Sequence, residues 1–161
     1  MTRSALFVLA AAALAACAGT PKENSAATAE TRAAAIDTVP DTGLPAQRLE
    51  PGQCGLFLWS MSAPRKFVFF SEATSGGGLV LINDEPVRVQ MTSTGGDVFG
   101  QFLTNSEFQD ATTGRIVQVM INPGESLEGG QRVESGNLLV HNTDGWETVL
   151  PVTGVRACLP G

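Results

Sequence analysis

The chain reads as all-β: a small antiparallel barrel or two-sheet sandwich of about eight short strands, preceded by a signal peptide and a disordered tether. Three observations carry that reading. From Arg48 to Gly161, short runs of apolar residues either alternate with polar ones or are rich in β-branched and aromatic side chains. Clusters of Gly, Asn, Asp and Pro separate these runs. No segment of ten or more residues in this block repeats its apolar residues every 3.6 positions, as an amphipathic helix would.

The first element is an address. Met1-Thr2-Arg3 supplies a basic start, and Ser4 to Ala16 is an uncharged run of thirteen residues. That is too short to cross a hydrocarbon core, which takes roughly 20 helical residues. A basic start, a short apolar core and small residues at its end describe a secretory signal peptide over residues 1–16. Ala16-Cys17-Ala18 also fits the small-x-small pattern of ordinary cleavage. In addition, Leu14-Ala15-Ala16-Cys17 resembles the lipobox of bacterial lipoproteins. The resemblance implies cleavage before Cys17, a diacylglyceryl group on its sulfur and acylation of its new amine. Two or more acyl chains anchor stably where one is marginal. Ala18 stands where an Asp would act as a retention signal, so the resemblance implies the outer membrane, with the protein facing the periplasm.

Residues 18–47 contain no aromatic residue and eight Ala. Such a stretch buries too little apolar surface to offset chain entropy, so it is expected to be a flexible tether from Cys17 to residue 47. A random coil of that length spans roughly 30 Å root-mean-square, at about 5–6 Å times the square root of length. A fraying Ala-rich helix over Ser25–Ile36 is the alternative within it.

The folded block is 48–161. Its candidate strands are Cys54–Ser60, Lys66–Phe70, Leu79–Ile82, Val87–Met91, Val98–Leu103, Arg115–Ile121, Leu138–His141, Glu147–Leu150 and Val155–Leu159. The turns expected between them are Gly76-Gly77-Gly78, Asn83-Asp84, Gly95-Gly96, Thr113-Gly114, Asn122-Pro123-Gly124, Gly129-Gly130 and Asp144-Gly145. Closure into a barrel is preferred over a sandwich because it removes the edges of so small a sheet.

Three Cys leave an odd one in an exported protein. Lipidating Cys17 leaves Cys54 and Cys158 as a pair bracketing the domain, and a disulfide between them closes a loop of about 100 residues, with an upper figure of about 4.7 kcal/mol. It requires the first and last strands to be neighbours. Cys54 is in phase with core-facing Leu56 and Leu58, whereas Cys158 is in phase with Arg156, so a strand end or a bulge is expected there. A redox role is the sharper reading of the pair, but the usual two-residue spacing is absent, so a structural crosslink is expected.

Catalytic inventory is thin. His141 is the sole imidazole and reads as a surface residue at a hairpin shoulder. No Gly-x-Ser-x-Gly elbow occurs. Asp84 with Glu85, and Glu125 with Glu128, are the available carboxylate pairs for glycan cleavage, which needs carboxyls about 5–10 Å apart across a cleft. No zinc or calcium spacing is present, and no cofactor is expected. Ten Lys and Arg against sixteen Asp and Glu give a net charge of -6, which argues against nucleic acid.

Both faces of the first strand are apolar, which core packing commonly explains; the alternative is a binding surface containing Phe57, Trp59 or Trp146, since Trp dominates interface hot spots. The expected function is therefore a lipid-anchored envelope protein whose non-catalytic β-domain binds or supports an envelope protein or glycan. An alternative comes from layout: a lipid-anchored barrel with a Cys near each end resembles the membrane-bound inhibitors of c-type lysozyme. Thr94-Gly95-Gly96-Asp97-Val98-Phe99 falls near that family's Ser-Gly loop, with Thr for Ser, and Asp144-Gly145-Trp146-Glu147 near its late Trp. The likeness implies a hydrolase inhibitor; a glycan-active enzyme is the third class.

Overall fold

The computed structural model describes residues 43–161. The signal peptide, Cys17 and residues 18–42 of the expected tether lie outside the described residues. Eight strands follow in chain order: β1 (Cys54–Ser60), β2 (Phe67–Glu72), β3 (Gly77–Ile82), β4 (Glu85–Phe99), β5 (Phe102–Gln109), β6 (Ile116–Leu127), β7 (Gly130–His141) and β8 (Glu147–Cys158). Each pairs antiparallel with the next, and β8 pairs with β1, so the sheet closes into an eight-stranded barrel. No edge is left open.

The strands form where alternation and turn chemistry agree. Asn83 and Asp84 both take positive φ (51° and 64°) in the two-residue turn between β3 and β4, the conformation that suits the twist of a tight hairpin. Asn142–Trp146 turns β7 into β8 around Gly145, with Asn142 N–H donating to Trp146 O at 2.8 Å.

Four expectations are corrected. Gly95-Gly96 is not a turn but a bulge inside β4: the register slips between Gly95 and Val98, and Asp97 N–H donates to Thr104 Oγ1 at 2.8 Å. A glycine at positive φ serves either purpose, and here the ladder continues past it. Val98–Leu103 is accordingly no strand; it is the β4–β5 hairpin, turning at Gly100-Gln101. Asn122-Pro123-Gly124 likewise lies within β6, and Glu147–Leu150 and Val155–Leu159 merge into one strand across Pro151. Most of β5 went unread, because Leu103–Gln109 mixes polar residues into both faces.

The barrel interior is filled. Leu58, Val68, Phe69, Val80, Val117, Val133 and Val152 are fully buried, and Phe69 meets Phe108 edge-on at 5.1 Å. Eight strands leave room for side chains and little else, so any ligand is received on the outer face or at an end. One end carries the Cys54–Cys158 seam and the β2–β3, β4–β5 and β6–β7 turns. The opposite end carries the β1–β2, β3–β4, β5–β6 and β7–β8 connections.

At the seam Cys54 lies directly across from Cys158, with Cα atoms 4.0 Å apart and the sulfurs bonded. No bulge intervenes. The phase conflict resolves differently: Leu56 pairs with Arg156, so Arg156 points into the barrel mouth on the same face as both cysteines.

Candidate functional site

The outer face of β1, β2 and β3 is as apolar as the inner one. Opposite Leu58 and Trp59 the register slips by one residue at Val68 of β2, so that Phe57 pairs with Phe70 and Trp59 with Phe67 while Val68 and Phe69 are both buried in the interior. The outward rings form one cluster: Phe57–Phe70 centroids lie 5.0 Å apart, Trp59–Phe67 5.2 Å and Phe57–Trp59 6.4 Å. The cross-strand row extends through Leu79 on β3 to Arg88 on β4.

A strap borders this platform at Phe67 and Gly55. Residues 43–53 carry no regular structure, yet Leu44 is buried and its N–H donates to Phe67 O at 2.7 Å. Leu49 lies against Gly55, Cδ2 3.0 Å from where a Cβ would stand. Leu44, Phe70 and Leu81 are buried without belonging to the interior cluster. They are buried outside the barrel interior, as apolar groups beneath long loops commonly are. Packed chain therefore includes Leu44, within the stretch expected to be tether. This exterior burial is what the sequence reading missed; a Leu followed by Pro in an otherwise polar stretch is its only local signal.

Beside the strap lies a shallow cleft of about 290 Å³, lined by Gln47, Leu79, Glu72, Arg88 and Gln90 among others. Glu72 is held ionised there. The Ser75 hydroxyl, with the backbone amides of Thr74 (2.7 Å) and Ser75 (2.8 Å), brings its carboxyl down to about 2. Among the described residues the Arg88 side chain makes no hydrogen bond or ion pair. A fixed anion and an unengaged guanidinium thus flank an apolar strip.

The other residues singled out from sequence do not converge on this place. Trp146 is 76% exposed, at the β7–β8 turn, and shares no ring contact with Phe57 or Trp59 among the described residues. His141 faces Glu147, Nδ1 to Oε1 3.7 Å, and its Nε2 is buried without a partner. Asp84 and Glu85 lie at the Trp146 end, whereas Glu125 and Glu128 lie towards the seam end. Glu125 is also engaged by Arg132 at 3.0 Å, a cross-strand pair of the β6–β7 hairpin. Neither pair faces a cleft shared with the other. Among the described residues no group of three or more His, Cys, Asp or Glu is placed to hold a metal ion. Thr94–Phe99 runs to the seam end and Asp144–Glu147 sits at the other, so the two segments that resemble lysozyme inhibitors do not form one surface.

A third arrangement fills the seam mouth. Arg156 Nη1 donates to Gln101 Oε1 at 3.0 Å and stands 3.3 Å from Cys158 Sγ, with its guanidinium carbon 5.7 Å from the Phe99 ring centroid. Gly100, at φ +64°, makes room for it: a Cβ there would fall 2.7 Å from the guanidinium carbon.

No family model, curated protein or solved structure matches this chain.

Proposed function

We propose that this chain is a lipid-anchored protein of the bacterial envelope whose barrel binds an envelope partner through its outer aromatic platform, without catalysis. The observation that carries the reading is the Cys54–Cys158 pair, which sits directly across the seam between first and last strands. A crosslink there belongs to an oxidising compartment, and the lipobox at Cys17 is the sequence feature that directs a chain to one. The strap supports the rest: it delivers the chain from the Cys17 side onto the platform, so the tether and the binding face adjoin. Phe57 and Trp59 supply large rigid contact area, of the kind that dominates recognition. A noncatalytic role is supported by the dispersal of His141, Asp84, Glu85, Glu125 and Glu128 over separate turns and strands.

The deciding experiment has two arms. Cells fed labelled palmitate incorporate it into the wild-type chain and not into Cys17→Ser; label surviving that substitution refutes the anchor. Affinity capture from envelope extract, comparing wild type with Trp59→Ala, then tests the platform: equal recovery of every partner by both refutes it.

The closed barrel, crosslinked by Cys54 and Cys158 across one end of its seam, also favours a second reading, hydrolase inhibition of the lysozyme-inhibitor kind. Unchanged lysis by c-type lysozyme at micromolar protein refutes it.

A further inference from the structure

We propose that the Cys54–Cys158 bond is a thiol–disulfide exchange site, with Cys158 as the sulfur attacked and Arg156 as the positioning residue that makes it reactive. The inference concerns the seam alone and stands whether or not the aromatic platform binds anything.

Three independent features converge on it. First, Arg156 occupies an inward strand position, where the pattern of β8 calls for an apolar group, and among the described residues no carboxylate pairs with it. A part-buried cation without a counter-ion is costly, and the packing of the interior cluster does not use it. Second, what the guanidinium does face is sulfur. Nη1 is 3.3 Å from Cys158 Sγ, Gln101 and Phe99 fix its orientation, and Nε is buried without an acceptor. Third, access to the two sulfurs differs: Cys54 is 7% exposed, whereas Cys158 is only half-buried, three residues from the end of the chain.

The chemistry follows. An external thiolate, drawn by the cation, attacks Cys158 Sγ; the new sulfur–sulfur bond forms as the old one breaks, and Cys54 leaves as a thiolate that takes a proton. A second external thiolate attacks the outer sulfur of the mixed disulfide and expels Cys158 as a thiolate, which Arg156 stabilises. Two external thiols have been oxidised to a disulfide, and the protein has gained two electrons. A leaving thiolate stabilised by a neighbouring cation departs faster and makes the disulfide easier to reduce. The co-substrate is thus a thiol or dithiol, small or protein-borne, that reaches the seam end of the barrel. Among the described residues, Arg156 is the only charged side chain that a hydrogen bond places on this sulfur.

The test uses the full chain carrying Cys17→Ser, so that only the seam cysteines react. Equilibrated against thiol–disulfide redox buffers and read by alkylation and mass, the Arg156→Gln variant is expected to need at least tenfold more reducing conditions to open the bond. That corresponds to a midpoint about 30 mV more negative. Arg156→Lys, which keeps the charge, is expected to stay within about threefold. In Cys17→Ser/Cys54→Ala, thiolate absorbance at 240 nm is expected to appear below the ordinary thiol value of about 8.5 and to move above it when Arg156→Gln is added. A midpoint unchanged by Arg156→Gln overturns the proposal, as does a Cys158 thiol that titrates ordinarily. If the Cys54→Ala chain does not fold, the redox equilibrium of the intact pair decides alone.

Discussion

Truncating Leu44 to Ala separates the strap from the barrel beneath it. The side chain is 6% exposed, and its N–H is bonded to Phe67 O at 2.7 Å. Burying a Leu is worth about 1.5–3 kcal/mol, and Leu→Ala in a barrel core costs about 2–5 kcal/mol. The strap, however, holds on by few groups. Pro45, Ala46, Arg48 and Glu50 are exposed, so Leu44 is among the few groups that offset the entropy of ordering the segment. Leu44→Ala is therefore expected to undock the strap and leave the barrel folded. Native-state hydrogen exchange is expected to show the Leu44 amide losing about 30-fold protection, the equivalent of about 2 kcal/mol. The unfolding free energy of the barrel in urea is expected to fall by less than about 1 kcal/mol. In a Trp146→Phe background, fluorescence of Trp59, which stacks on Phe67, is expected to shift to the red as the strap leaves Phe67. If the global unfolding free energy instead falls by about 3 kcal/mol or more together with the Leu44 amide, the strap is an integral layer of the fold and the reasoning is wrong. If neither changes, Leu44 does not dock.

The seam gives a second expectation: Cys54→Ala/Cys158→Ala, which opens a loop of 104 residues, loses up to about 4.7 kcal/mol in denaturant unfolding, and a loss below about 1 kcal/mol contradicts it. Gly100→Ala forces a side chain into positive φ and against Arg156; a cost of about 1–3 kcal/mol is expected, read as a lowered melting temperature. Glu72 links the β2–β3 turn to pH: its carboxyl is depressed from 4.5 to about 2, so the turn's support is present above pH 4.5 and lost as pH falls through about 2. The Thr74 and Ser75 amide resonances are expected to follow that loss, and Glu72→Gln to abolish it. Trp146→Ala, at an exposed hairpin tip, is expected to alter stability by no more than about 0.5 kcal/mol; a larger loss means that the ring packs.

Much of the barrel was legible because its signals are local. Alternation in Val87–Met91 places side chains on two faces whatever the partner strand is, and Asn83-Asp84 or Asp144-Gly145 reverses the chain with a few residues' own dihedrals. The pairing of Cys54 with Cys158 was legible by arithmetic once Cys17 was assigned elsewhere. Gly95-Gly96 and Asn122-Pro123-Gly124 were misread for a matching reason: the residues that make a turn also make a bulge, and only the neighbouring strand decides which.

By itself, then, the sequence determined an all-β domain with an apolar first strand and a cysteine at each end. The preference for a closed barrel over a sandwich was borne out, but tertiary structure alone decided that Phe67 and Phe70 join Phe57 and Trp59 outside it, that Leu44 is buried and bonded to Phe67 beside them, and that Arg156 turns inward onto Cys158. Each of these joins residues far apart along the chain through register, and a register is a property of two strands together.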